Sequence, residues 1–196
     1  MVFGPTTPGM VTWESLKSEL LNLPKETLVE MINMWVKNYW TNQNYWMVNV
    51  ERDFGFDDTA RLDGEVWESA AKAQSHRLKK LFNLGEDVQS LAVVLKFCAA
   101  QWAPSGFTWE FLEVTDKKLV MQVNQCPMGT YRDAQNLALI PCKFGAVNLY
   151  SALAKVINPA FVTTCLHAHP DPRIKNVMCR WEFVLDDSHN TQGDAI

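Results

Sequence analysis

The hydrophobic pattern of this 196-residue chain changes period once, and that change limits the fold more than any other feature of the sequence. Up to about residue 103 the apolar side chains recur every three or four positions, as on one face of a helix; from Phe107 onward they alternate, as on one face of a strand. A helical first half followed by a sheet-forming second half predicts an α+β fold, with the helices packed on a mainly antiparallel sheet.

Punctuation places the elements. Thr12 can cap a helix from Trp13, and Leu23-Pro24 interrupts it. Pro24 suits the first turn of a long aromatic helix that ends near Phe54-Gly55. A third helix is predicted from Asp58 to Phe82, stopped by Asn83-Leu-Gly85, and a fourth from Asp87 to Trp102, broken by Ala103-Pro-Ser-Gly106. Phe107 to Glu113 and Leu119 to Asn124 read as a β-hairpin about the turn Thr115 to Lys118. Helices are then expected around Thr130 to Leu137 and across Phe144 to Ile157. Two last strands, Ala160 to His167 and Asn176 to Leu185, are separated by Pro170-Asp-Pro172, which gives a ββαββ-like order. Residues 1–10 are expected as a flexible arm, 11–186 as one domain (11–103 helical, 107–186 sheet) and 187–196 as a disordered tail.

A net charge of −4 without a basic stripe argues against a nucleic-acid partner. No apolar run reaches the roughly 20 residues needed to span a bilayer, so no membrane partner is expected, and the absence of a signal-like N-terminus points to the cytoplasm. Five cysteines, an odd number in such a chain, are expected as reduced thiols.

The chemistry-bearing residues fall into three groups. Cys126 precedes Pro127 and a helix carrying Arg132, so a helix N-terminus and a guanidinium could stabilise its thiolate; His167 is the candidate base and Arg132 an anchor for a substrate carboxylate. Cys142, Cys165, His169 and Cys179 are candidate metal ligands, with zinc the metal that their donor types suit. If the last two strands pair about their Pro-Asp-Pro turn, Cys165 and Cys179 come opposite each other, and alternation sets Cys165, His167 and His169 on one side. Thiols that are buried, or catalytic without metal, are the competing reading. On the aromatic helix Trp35, Asn38, Trp40, Asn42 and Trp46, joined by Asp63 and Trp67 from the next helix, could wall a small-molecule pocket; each also reads as an ordinary packing, cap or surface residue.

The run Met34-Trp-Val-Lys-Asn-Tyr-Trp40, then Tyr45-Trp46, Val50-Glu51, Leu62-Asp63 and Val66-Trp67, resembles a family of uncharacterised bacterial and archaeal cytosolic proteins. Cys126-Pro127, Arg132, Pro141-Cys142, Cys165, Pro170-Asp171 and Cys179-x-Trp181-x-Phe183 are similar to that family and, more distantly, to L-2-amino-thiazoline-4-carboxylic acid hydrolase-like proteins and vinyl-reductase-type small-molecule-binding domains. In the nearer family a second cysteine often stands where this chain has Ala168. The resemblance implies a small-molecule enzyme, a hydrolase of a non-peptide C–N bond. The alternative is a non-catalytic binding or sensor domain with a Cys/His zinc site. In a third reading, an interaction protein, the surplus tryptophans form the interface of a homodimer.

Overall fold

The structure is a computed structural model that describes residues 10–101 and 106–186. The expected arm, except Met10, the break at Ala103-Pro-Ser and the expected tail lie outside the described residues. The fold is α+β, helices first and sheet second, as the change of period predicts.

Helix α1 spans Trp13–Leu21, with Thr12 as its cap: the Thr12 hydroxyl accepts from Ser15 N, and the Ser15 hydroxyl accepts from Thr12 N in return. Helix α2 (Lys25–Phe54) and helix α3 (Phe56–Phe82) form a long hairpin hinged at Gly55, whose φ of 85° lies in the region a side chain disfavours. Helix α3 stops at Asn83 in the left-handed conformation. Helix α4 (Val88–Phe97) is capped by Asp87, which accepts from Ser90 N at 2.7 Å. It ends earlier than the periodicity predicts, because Cys98 turns extended and a short 3-10 turn, Ala99–Gln101, follows.

Strands β1 (Thr108–Val114) and β2 (Lys118–Gln125) make the expected hairpin. Helices α5 (Pro127–Ala134) and α6 (Cys142–Ile157) come next, then β3 (Phe161–Ala168) and β4 (Cys179–Leu185). The sheet order is β1-β2-β4-β3, antiparallel throughout. Its inner face, with Leu119, Met121, Val123, Phe161, Trp181 and Phe183 essentially inaccessible, is covered by α6, and α3 lies over α6. Two glycines set that second contact: a Cβ on Gly64 would lie 3.6 Å from the Gly145 Cα. The Ser75 hydroxyl donates to Leu153 O at 3.0 Å, and Lys79 Nζ donates to Ile157 O, so α3 also satisfies carbonyls of α6. No helix among the described residues is long and apolar enough to cross a membrane.

The register corrects one expectation. Cys165 pairs with Trp181, while Cys179 pairs with Ala168, so the two cysteines are not opposite each other. A bulge between Cys165 and His167 also breaks the alternation: Cys165 faces Trp181 but His167 faces the adjacent Arg180. Cys165 and His167 therefore do not continue one side of the strand.

Candidate functional site

Two cavities meet where α5 and α6 leave the sheet. The outer one, about 420 Å³, is open at the end of β3 and β4 and is lined by His167, His169, Asp171, Lys175 and Met178 among others; the inner one, about 90 Å³, lies between α2, α3 and α6. Cys126, Met128, Ile140 and Cys142 line both and form the wall between them. The outer volume is that of an ordinary small-molecule site, and the inner one suits a small head group.

The inner cavity is aromatic with one carboxylate. Trp40, Trp67, Phe107 and Tyr150 line it, with the small residues Gly64, Gly145 and Ala146 giving room. Asp63 is 6% exposed. It accepts from Gln43 Nε2 at 2.6 Å and from the Trp67 side chain, so one hydrogen bond ties α2 to α3 beneath the cavity. Burial pushes its carboxyl up from 3.8 to about 7; those two hydrogen bonds and the charge of Arg132 oppose the shift without cancelling it. A buried carboxyl pushed up toward neutrality at a cavity wall is the kind of group that functional sites use.

Several sequence expectations need correcting here. Trp35 is 63% exposed, Asn38 and Asn42 are exposed, and half-buried Trp46 lines neither cavity. The face of α2 turned to α3 instead carries Trp40, Gln43 and Met47, spaced i, i+3, i+7, so the predicted stripe mixed residues from two sides of one helix. Trp40, Asp63 and Trp67 do line the inner cavity. Gln43 was missed because a polar residue on a buried face interrupts the apolar period that marks such a face.

Arg132 is not a free anchor. Its guanidinium is buried and donates to both Glu51 oxygens (Nη1 to Oε2 2.7 Å, Nη2 to Oε1 3.0 Å), while Nε donates to Ala138 O and the ring of Phe56 lies 5.4 Å away. A substrate carboxylate would have to displace Glu51.

The thiolate at Cys126 also lacks support. Burial pushes its thiol up, and backbone N–H groups of Gly129 and Met128 at the start of α5 only soften the effect. Burial raises Cys98 and Cys142 to about 12 and Cys179 well above its ordinary value. Cys165, the least enclosed, is raised by burial too, against the charge of Lys143. Cys142, Cys165, His169 and Cys179 do not assemble as ligands: among the described residues no group of three or more His, Cys, Asp or Glu side chains is placed to hold a metal ion. The offset register keeps Cys165 and Cys179 from facing each other across the strand pair, although Cys142 and Cys165 are both near enough to Cys179 for their charges to raise it further. His167 Nδ1 stands 3.9 Å from Asp171 Oδ2, beyond a hydrogen bond, and Asp171 is held by Lys143 Nζ at 2.6 Å.

This electrostatic picture predicts sluggish thiols. Iodoacetamide at pH 7.5 should modify the native protein fastest at Cys165, with fully buried Cys98 protected until it unfolds, as peptide mass spectrometry can read. Rapid labelling of Cys126 would contradict the burial argument.

Residues 21–185 match the profile of a family of unknown function, DUF6125. The chain belongs to that family. The match takes in α2 through β4 and so contains both cavities, Asp63 and the Arg132–Glu51 pair. A search of curated proteins finds no match. Membership in DUF6125 brings no activity with it.

Proposed function

We propose that this member of DUF6125 is a small-molecule enzyme that hydrolyses a non-peptide C–N bond, with Asp63 as the proton carrier. Buried Asp63, poised near neutrality on an aromatic cavity that adjoins a larger open one, is the observation that supports this reading. The substrate would lie across the wall formed by Cys126, Met128, Ile140 and Cys142, its tail in the outer cavity among His167, His169 and Lys175 and its nitrogen end toward Asp63. Water adds to the carbon of the C–N bond, and its proton passes to the ionised Asp63 carboxylate. The carboxyl then gives that proton to the departing nitrogen, so one group serves as base and acid and is restored in the cycle. The thioether of Met128 and the two thiols in the wall are compact, adaptable groups that suit a passage between the cavities.

Amine release from a panel of small lactams, amides and cyclic amidines, followed by NMR, tests the reading. With an active compound in hand, Asp63→Asn should lower kcat by a factor of about 100 to 10,000, and Cys126→Ala should leave it within about threefold. Full turnover by Asp63→Asn would remove Asp63 from the mechanism, and loss of turnover in Cys126→Ala would return the nucleophile role to that thiol. Tight binding of panel members with no turnover would favour a non-catalytic sensor, a reading consistent with the raised thiols.

A further inference from the structure

We infer that the inner cavity is a receptor for an organic cation, so that the group this site takes deepest is a small ammonium head. The inference rests on reading the two cavities as one ligand site, and it goes further by naming the chemistry of the group bound there.

Four aromatic side chains, Trp40, Trp67, Phe107 and Tyr150, line a space of about 90 Å³. The Trp40 and Trp67 rings are 5.6 Å apart and tilted by 36°, and Trp40 and Phe107 are 5.4 Å apart and tilted by 55°. At these separations Trp40 touches both of the other rings, so the three form one continuous aromatic wall to the space. The faces of aromatic rings are electronegative, and a cation within about 6 Å of a ring centroid is attracted, most strongly by tryptophan.

The charge on the walls has the matching sign. Asp63 is the one carboxylate there, and no Lys, Arg or His lines the inner cavity among the described residues. An anion entering it would meet Asp63 and ring faces alike. A metal ion is a poor fit, since Asp63 already accepts from Gln43 and Trp67 and no second carboxylate lines the inner cavity among the described residues. An ammonium without N–H groups needs no hydrogen-bond acceptor and is held by ring faces and a nearby carboxylate. Its size also fits: Gly64 and Gly145, whose backbones approach closely, leave room for methyl groups that larger residues would fill. The cation would supply the counter-charge that Asp63 lacks within the cavity; having no lone pair to protonate, it is a separate group of the ligand from the nitrogen that departs in the scheme above.

Choline and its uncharged carbon isostere, 3,3-dimethylbutan-1-ol, have the same shape and separate charge recognition from simple filling of an apolar hole. Calorimetric titration of the intact chain at pH 8, with tryptophan fluorescence as a second readout, should show choline binding roughly tenfold tighter or more. Asp63→Asn, checked for folding by circular dichroism, should narrow the gap between the two ligands several-fold, the ring faces keeping the remaining preference for choline. Phe107→Leu, which removes one ring and leaves Asp63 in place, should weaken choline several-fold and the isostere little. Equal binding of the two ligands by the native protein, or binding of neither, overturns the inference without any variant. Its failure is separable from failure of the enzymatic reading: Asp63→Asn could still abolish turnover of a hydrolysable compound while the native protein ignores charge, and the converse holds as well.

Discussion

Replacing Glu51 by glutamine should lower the stability of the protein by about 3 kcal/mol, the lower end of what is seen when one partner of a buried ion pair is removed. Arg132 is 1% exposed and Glu51 21%, and both terminal nitrogens of the guanidinium are engaged by that one carboxylate. Glutamine offers a single acceptor and no charge, so a guanidinium that cannot lose its proton is left buried and uncompensated. For a chain of this size the melting temperature should fall by roughly 6 to 12 °C. Asp133→Asn is the matched control. Its pair with Arg173 has an equally short contact of 2.6 Å, but the side chains are 41% and 69% exposed, and its loss should change stability by no more than about 1 kcal/mol. If Glu51→Gln proved as mild as Asp133→Asn, the Arg132–Glu51 pair would not be what ties α2 to α5 across 81 residues of sequence.

That separation marks the boundary between what the sequence discloses and what it hides. Elements whose signals are local were legible: the Thr12 cap, the Gly55 hinge, the stop at Asn83, the hairpin about Thr115 to Lys118 and the change of period at Phe107 all describe neighbours in the chain. Features that depend on which distant surfaces meet were not. Helix α2 carries large apolar residues on more than one side, with Trp35 and Tyr45 exposed and Trp40 and Met47 buried, so its composition could not say which side would meet α3. A bulge is an offset between two strands, and one extra residue between Cys165 and His167 was enough to break the alternation that set Cys165 and His167 on one side. Glu51 and Arg132 were both visible as charges, but nothing local says that they would neutralise each other rather than face a substrate. Asp63 and Trp67 were legible as a pair at i, i+4 on one helix, and this is the part of the predicted site that the cavity retains.

Asp63 has a second measurable consequence, because a carboxyl held at about 7 in the folded chain and near 3.8 when unfolded couples folding to pH. Below pH 3.8 the group is protonated in both states and imposes no penalty. Between 3.8 and 7 the unfolded chain releases the proton while the folded chain keeps it, so stability falls with rising pH by about 1.4 kcal/mol per unit. Above 7 the carboxylate is ionised in both states and the whole penalty, about 4 kcal/mol, is present. Asp63→Asn removes this dependence and leaves every other titrating group in place. Asparagine can still accept from Gln43, although its NH2 cannot accept from Trp67, which adds a penalty that does not vary with pH. Urea unfolding of the two proteins from pH 4 to pH 8 should therefore give curves that diverge, with the stability of Asp63→Asn rising relative to the native chain by about 4 kcal/mol across the interval. Parallel curves would mean that Asp63 is ionised and solvated in the folded protein, which would remove the poised proton that hydrolysis requires. A saturating organic cation at pH 8 should offset much of the native chain's penalty, since an ammonium beside Asp63 favours its ionised form, and it should do little for Asp63→Asn. Stability, and with it the proposed proton transfer and charge recognition, thus turns on one carboxyl, which burial disfavours in its ionised form at neutral pH.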